Sequence, residues 1–161
     1  MDYKVLYRKY RPDSFETIVG QDYTINILKN AILNDKIAHA YIFNGPRGTG
    51  KTTTAKVFAK TINSENPKNG EACGKCNSCL NVNNNPDIIE IDAASNNGVD
   101  EIRELINNVK IAPSYSKYKV YIIDRSVEKK EYDKTNIVKV NDKNLEEKVK
   151  QIMNNFFKNK R

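Results

Sequence analysis

The sequence has no hydrophobic run that approaches the roughly 18 residues needed to cross a bilayer. Its N-terminus, Met1-Asp2-Tyr3-Lys4, mixes charges and has no hydrophobic block of the kind that a secretory signal requires. Histidine occurs once, as His39, and a lone histidine there is more typical of a hydrogen-bonded structural residue than of a ligand or base. These absences predict a cytoplasmic protein, and 161 residues leave room for one domain with a small appendage.

Cysteine is also scarce, and its three occurrences fall within seven residues, at Cys73, Cys76 and Cys79. Three cysteines cannot pair off evenly, and in a reducing compartment Cys-x-x-Cys spacing indicates metal binding rather than disulfides. Three thiolates in a compact turn suit zinc, but a closed structural zinc site almost always has four protein ligands. The sequence offers no obvious fourth ligand.

The net charge of +7 is concentrated at one end of the chain. Residues 125–161 carry 11 Lys/Arg against 6 Asp/Glu, which leaves only +2 for the first 124 residues. For those first residues, an ordinary solvated surface is a better interpretation than a nucleic-acid-binding patch.

One stretch carries a phosphate-binding motif. Residues 45–52 match Gly-x-x-x-x-Gly-Lys-Ser/Thr, and they read Gly45, Pro46, Arg47, Gly48, Thr49, Gly50, Lys51, Thr52. Its backbone N–H groups would cradle the phosphates of ATP, Lys51 would reach the β/γ oxygens, and Thr52 would ligate Mg²⁺. An apolar strand precedes the motif and a helical apolar pattern follows it, which disfavours the alternative of an ordinary glycine-rich turn.

Two further strands are predicted, over Ile88–Asp92 and Val120–Asp124. Because the second ends in a carboxylate, Asp124 is the candidate Walker B residue that holds Mg²⁺; the alternative is an Asp that merely ends a strand. The next residue is Arg125, at the position where an ATPase would place its water-activating carboxylate. A guanidinium stays protonated, so Arg125 cannot act as that base.

The tail also has folding signals. Thr135–Val140 predicts one more strand, and apolar residues between Leu145 and Phe157 fall at helical spacing. We expect this amphipathic helix to dock on a core or pair with a partner; binding to a membrane surface is the less favoured alternative.

Four blocks of sequence together resemble a known family. They are the arm from Tyr7 to Gln21, the run from His39 to Thr52, the cysteine cluster, and the segment from Asp92 to Asp100. In this order, they make the first 124 residues similar to the N-terminal AAA+ domain of the bacterial DNA polymerase III gamma/tau subunit, the motor of the sliding-clamp loader. The resemblance implies an arm near the adenine and an ATP-driven cycle that opens and releases a ring clamp at a primer–template junction. The implied partners are the other clamp-loader subunits, the sliding clamp and primer–template DNA.

The resemblance also implies a fold: an α/β P-loop NTPase with a parallel sheet flanked by helices, incomplete, and with a zinc-type module at 63–82. The partial AAA+ domain would span 1–124, and a divergent strand-plus-helix tail would span 125–161. The family's zinc module has four cysteines, but the position of the first is Ser64 here. Water or a nearby carboxylate would then complete the zinc site.

The resemblance stops at Asp124, since no sensor residues, arginine finger, lid or collar can be recognised after it. The chain is therefore expected to be a truncated or chimeric subunit that binds ATP but does not hydrolyse it at a useful rate. The alternatives are a catalytically inactive interaction module and a fragment from a disrupted reading frame; the oligomeric state is left open. In the family, the strand entering the P-loop is flanked by the two strands that come last in sequence. Both are missing here, and Thr135–Val140 would fill one of the two gaps.

Overall fold

The computed structural model describes residues 6–92, 104–105, 107–125 and 133–140. Residues 104–105 and 107–109 are helical. The named elements follow one another as α1 (Leu6–Lys9), a 3₁₀ turn (Phe15–Thr17), α2 (Asp22–Leu33), β1 (Ala40–Gly45), α3 (Lys51–Ile62), α4 (Asn77–Leu80), β2 (Ile88–Asp92), β3 (Lys119–Arg125) and β4 (Asp133–Val140).

The four strands form one sheet in the order β1-β4-β3-β2. β2 and β3 are parallel, with Ile88 opposite Val120 and Asp92 opposite Asp124, so the predicted parallel sheet is confirmed for these two strands. β4 is antiparallel to both of its neighbours, so the prediction of a parallel sheet does not extend to this strand. β1, β2 and β3 therefore all run in the same direction, and their carboxyl ends lie at one edge of the sheet.

β4 includes the strand predicted from the tail, Thr135–Val140, and occupies the gap between β1 and β3. Without β4, the backbone N–H and C=O groups of β1 and β3 that face the gap would have no partners. A strand of either direction can form hydrogen bonds with them. Among the described strands, β1 pairs with β4 alone, so its other edge has no strand beside it.

The core lies between one face of the sheet and the helices α2 and α3. β1 alternates as an amphipathic strand should: Tyr41 and Phe43 pack on the core, while Ile42 on the opposite face is 71% exposed. The Tyr41 ring meets the edge of Phe58 with centroids 4.8 Å apart. The buried members of this core are Phe15, Ile18, Ile25, Leu28, Ala55, Val57, Phe58, Ala59, Ile62, Tyr118, Val120 and Ile122.

Two buried polar side chains fix the start of β3. Asn63, just after α3, donates from Nδ2 to the Tyr118 carbonyl at 3.0 Å and accepts the Tyr118 N–H at 2.8 Å. The buried Asp87 carboxylate accepts the N–H groups of Ser114, Tyr115 and Ser116 at 2.7 to 3.1 Å. These bonds fix β3 relative to α3 and β2, so the carboxyl end of β3 lies beside the beginning of α3.

The predicted tail helix between Leu145 and Phe157 lies outside the described residues, and so do residues 93–100 of the block that resembles the family. Within the described ranges, the helices are all too short or too polar to cross a membrane.

Candidate functional site

The predicted phosphate-binding loop connects β1 to α3. Gly48 and Gly50 adopt φ values of 83° and 80°, a left-handed conformation that side chains other than glycine rarely adopt. Gly50 is the N-cap of α3, and its carbonyl accepts the Thr54 N–H at 2.8 Å. The N–H groups of residues 51–53, at the start of α3, thus have no acceptor within the helix. Together with the helix dipole, they make this end of α3 favourable for an anion.

Lys51 extends its ammonium group back over this loop. Its Nζ donates to the carbonyl oxygens of Gly45 at 3.1 Å and Pro46 at 2.7 Å. The Pro46 carbonyl also accepts the Thr49 hydroxyl at 2.9 Å. The ammonium is therefore held between the end of β1 and the start of α3. A phosphate group bound there would take the place of the neutral carbonyl oxygens as a charged acceptor for Lys51.

The structure brings Thr52 and Asp124 together across 72 residues of sequence. The Thr52 hydroxyl donates to Asp124 Oδ2 at 2.7 Å, and both residues are partly buried. A hydroxyl and a carboxylate are hard oxygen ligands of the kind that Mg²⁺ prefers. The pair thus fits a Mg²⁺ ion bound next to a polyphosphate.

A cleft of about 510 Å³ opens over the loop. Its charged lining residues are Arg11, Arg47, Lys51 and Asp124, so three cations face one carboxylate. This volume lies within the roughly 300–1,000 Å³ typical of small-molecule sites, and the positive excess suits a polyphosphate. The remaining lining residues are Tyr10, Pro12, Gly48, Gly50, Thr52 and Thr53.

Sequence reasoning did not select the arm residues that form one wall of this cleft. Arg11 donates from Nε to Thr53 Oγ1 at 3.2 Å, and Gln21 donates from Nε2 to the Thr49 carbonyl at 3.3 Å. The only signal for this wall was the family resemblance, which implies an arm near the adenine. Local periodicity could not reveal it, because the Arg11 contact spans 42 residues.

The three cysteines form a second cluster, away from the cleft lining. Their sulfur atoms lie within 4.8 Å of one another, and the Sγ atoms of Cys73 and Cys79 are 3.8 Å apart. Two ligands at the usual Zn–S distance of about 2.3 Å and a tetrahedral angle are also about 3.8 Å apart. The Cys73–Cys79 pair therefore has the separation of two zinc ligands, and the Cys76 sulfur lies close enough to be a third.

Ser64 stands where a fourth thiolate would be expected, but its hydroxyl has another partner. Ser64 is buried, and its Oγ accepts the Cys73 N–H at 3.0 Å. Hydrogen bonds from the Ser64 hydroxyl, and then from the N–H groups of Lys75 and Cys76, lower the pKa of the Cys73 thiol to about 6. Burial raises the pKa of Cys79. Among the described residues, no carboxylate or histidine joins the three sulfur atoms.

The chain belongs to the family described as "DNA polymerase III, delta subunit", whose model matches residues 20–155. That match includes β4 and extends beyond Asp124.

Individual relatives are subunits of the same polymerase. The DNA polymerase III subunit tau of Bacillus subtilis (strain 168) is 55% identical over 126 residues, which are 77% of this chain and 22% of that protein. The gamma/tau subunit of Mycoplasma pneumoniae is 53% identical over 125 residues, 76% of this chain and 18% of that protein. The tau subunit of Escherichia coli (strain K12) is 43% identical over 126 residues, 77% and 20% of the two chains.

These relatives carry the gamma and tau names, whereas the family description says delta; both descriptions agree on DNA polymerase III. The similarity to them covers the N-terminal part of this chain, about 126 residues, which confirms the resemblance predicted for residues 1–124. The chain spans about a fifth of the length of these relatives.

Proposed function

We propose that this chain contains the ATP-binding part of a clamp-loader subunit of DNA polymerase III. In this proposal, Gly45 to Thr52 form a P-loop that holds the phosphates of ATP, and Thr52 and Asp124 hold Mg²⁺. The partners would be the other clamp-loader subunits, the sliding clamp and, through the assembly, primer–template DNA. The protein would act in the cytoplasm.

The observation that carries the proposal is the contact between Thr52 and Asp124 at 2.7 Å. Two segments that are far apart in sequence meet there: the end of the glycine loop, where α3 begins, and the carboxyl end of β3. A glycine-rich turn without a nucleotide role would not need a carboxylate from a distant strand beside its threonine. The similarity to gamma and tau subunits supports the same assignment.

Two finer points belong to the same proposal. Cys73, Cys76 and Cys79 would bind zinc, with water as the fourth ligand, in a module over residues 63–82. The chain would divide into a partial AAA+ domain at 1–124 and a tail at 125–161, whose strand β4 completes the sheet between β1 and β3.

A second candidate is an interaction module that binds ATP without hydrolysing it. The observation that favours it is Arg125, which directly follows Asp124 in β3. Without a carboxylate at that position, no neighbouring side chain of β3 orients and deprotonates the attacking water. The bound nucleotide would then support the shape of the module rather than drive a cycle.

Isothermal titration with Mg–ATP tests the proposed site. We expect Lys51→Ala to bind ATP at least 10-fold more weakly than the parent chain, because it loses a charged donor to the phosphates. Lys56→Ala is the matched control: Lys56 lies on the same helix, and its Nζ pairs with Glu90 at 2.6 Å. Equal affinities for all three proteins would remove Lys51 from the proposed role, and no binding by the parent would refute ATP binding itself.

A further inference from the structure

Glu71 connects the cysteine module, residues 63–82, to the arm, residues 7–21, which forms a wall of the cleft. Its Oε2 accepts the Phe15 N–H at 3.2 Å, and its Oε1 pairs with Lys29 Nζ at 2.7 Å. The Glu71 side chain is only 15% exposed. Since Cys73 follows two residues later, the segment that carries a candidate metal ligand also holds the arm.

The backbone around Glu71 limits how far this side chain can move. Gly70 adopts a φ of +73°, and a Cβ atom at this position would lie 3.0 Å from the Lys29 Cβ. The loop therefore lies directly on α2, as close as glycine permits. Lys68 and Glu71 also exchange backbone hydrogen bonds of 2.9 Å in both directions. A shift of the cysteine module would consequently displace the Glu71 carboxylate.

The arm transmits this contact to the cleft. Phe15 is 1% exposed, and the cleft-lining residues Tyr10, Arg11 and Pro12 lie three to five residues before it. Between them, the Asp13 carbonyl accepts a hydrogen bond from Lys60 at 3.0 Å. The arm is thus fixed to the cysteine module at Phe15 and to α3 at two further points, Asp13 and Arg11.

We propose that Glu71 is a positioning residue that couples metal binding at Cys73, Cys76 and Cys79 to nucleotide binding in the cleft. A metal ion that ties the three sulfur atoms together fixes the segment that bears Glu71. This holds Phe15 in place and keeps the arm wall in the conformation that contacts a nucleotide. The inference rests on the ATP binding and zinc binding proposed above. By linkage, the nucleotide tightens zinc binding by the same factor as zinc tightens nucleotide binding.

The test measures Mg–ADP affinity by titration calorimetry on zinc-loaded and chelator-treated protein. We expect zinc removal to weaken ADP binding by the parent about 5-fold or more, a typical size for coupled sites. In Glu71→Ala, which loses both contacts, the affinity is expected to be low and independent of zinc. Glu71→Gln retains an oxygen that can accept the Phe15 N–H, so we expect it to restore much of the zinc dependence. Glu65→Gln, an exposed change in the same module, is the matched control and should behave like the parent.

Each outcome decides the question. Equal ADP affinity of the parent with and without zinc overturns the coupling, as does a full zinc dependence in Glu71→Ala. If Glu71→Ala does not fold, Lys29→Met takes its place, because it leaves the carboxylate without its cation, and the zinc dependence must then fall. A parent that binds ADP but takes up no zinc overturns this inference and leaves the proposed ATP site standing. A parent that binds no nucleotide overturns both.

Discussion

Replacing Ser64 by cysteine tests the metal cluster most directly. The sulfur atoms of Cys73 and Cys79 are 3.8 Å apart, as two ligands of a tetrahedral ion would be, and all three sulfur atoms lie within 4.8 Å of one another. The Ser64 Oγ lies at the border of this cluster, 3.0 Å from the Cys73 nitrogen. A thiolate at position 64 would supply the fourth ligand and could still accept the Cys73 N–H. We therefore expect Ser64→Cys to bind zinc more tightly than the parent.

The size of the effect follows from the affinity of complete sites. Structural zinc sites with four ligands bind with about 10–16 kcal/mol near neutral pH, or roughly 2.5–4 kcal/mol per ligand. At about 1.4 kcal/mol per factor of ten, one added thiolate corresponds to an affinity gain on the order of 100- to 1,000-fold. The gain should lie toward the lower value, because the new thiolate replaces a zinc-bound water and does not fill an empty position.

Competition with a chromophoric zinc chelator measures the two affinities. Substitution with Co²⁺ counts the ligands, because each added thiolate increases the sulfur-to-metal charge-transfer absorption. Ser64→Ala is the matched control, since it removes the hydroxyl without adding a ligand, and it should bind zinc no more tightly than the parent. Equal zinc affinity in Ser64→Cys and the parent, or an unchanged Co²⁺ spectrum, would refute the assignment of position 64 to the fourth vertex.

Three further predictions concern the sheet and the site. The buried Tyr121 hydroxyl has no hydrogen-bond partner among the described residues, so Tyr121→Phe should raise the free energy of unfolding by about 1 kcal/mol in urea denaturation. Burial, and secondarily the charge of Asp87, raise the pKa of Tyr121 to about 12. Below about pH 10, the Tyr121 hydroxyl of the parent is neutral in both the folded and the unfolded chain. Above about pH 10, it ionises first in the unfolded chain, which lowers the free energy of unfolding of the parent but not that of Tyr121→Phe. The difference in this free energy between variant and parent should therefore grow from about pH 10 to 12, and a constant difference would contradict the prediction. Asp87→Ala leaves three N–H groups without their acceptor and should lower the same free energy by about 3 kcal/mol or more, whereas a loss below 1 kcal/mol would contradict the anchoring role. Arg125→Glu introduces a candidate base next to Asp124 and should increase phosphate release from ATP by about 10²-fold or more over a nearly inactive parent; parent turnover of roughly 1–100 s⁻¹ would show that no such base is needed.

The sequence predicted the parts of the fold that depend on local pattern. The strands through Tyr41 and Ile122 were recognisable as short apolar runs, and α3 was recognisable from apolar residues at helical spacing. The predicted tail strand was found within β4, but its antiparallel direction was not predicted. Strand direction depends on which neighbour the chain meets after a connection, and the alternation of side chains is the same for either direction.

The site divides in the same way. The glycine loop was predictable because its motif occupies only eight residues of sequence, and Gly48 and Gly50 do adopt the left-handed backbone that glycine favours. The partnership of Thr52 with Asp124 was expected from the order of the motifs, but the 2.7 Å contact depends on the position of β3 beside α3, to which the hydrogen bonds of Asn63 and Asp87 contribute. The sequence did not predict that Asn63 and Asp87 anchor β3, because isolated Asn and Asp residues are common in loops.

The sequence by itself therefore determined which chemical groups this chain can offer: a glycine-rich loop with a lysine, a carboxylate at the end of a strand, and three clustered thiols. Only the tertiary structure decided how these groups are arranged. It placed the arm against α3 through Arg11, bound the Ser64 hydroxyl to the Cys73 N–H, and joined the cysteine module to the arm through Glu71. The physical reason is that residue type and local spacing set which bonds a side chain can form, whereas packing of distant segments sets which partner it meets.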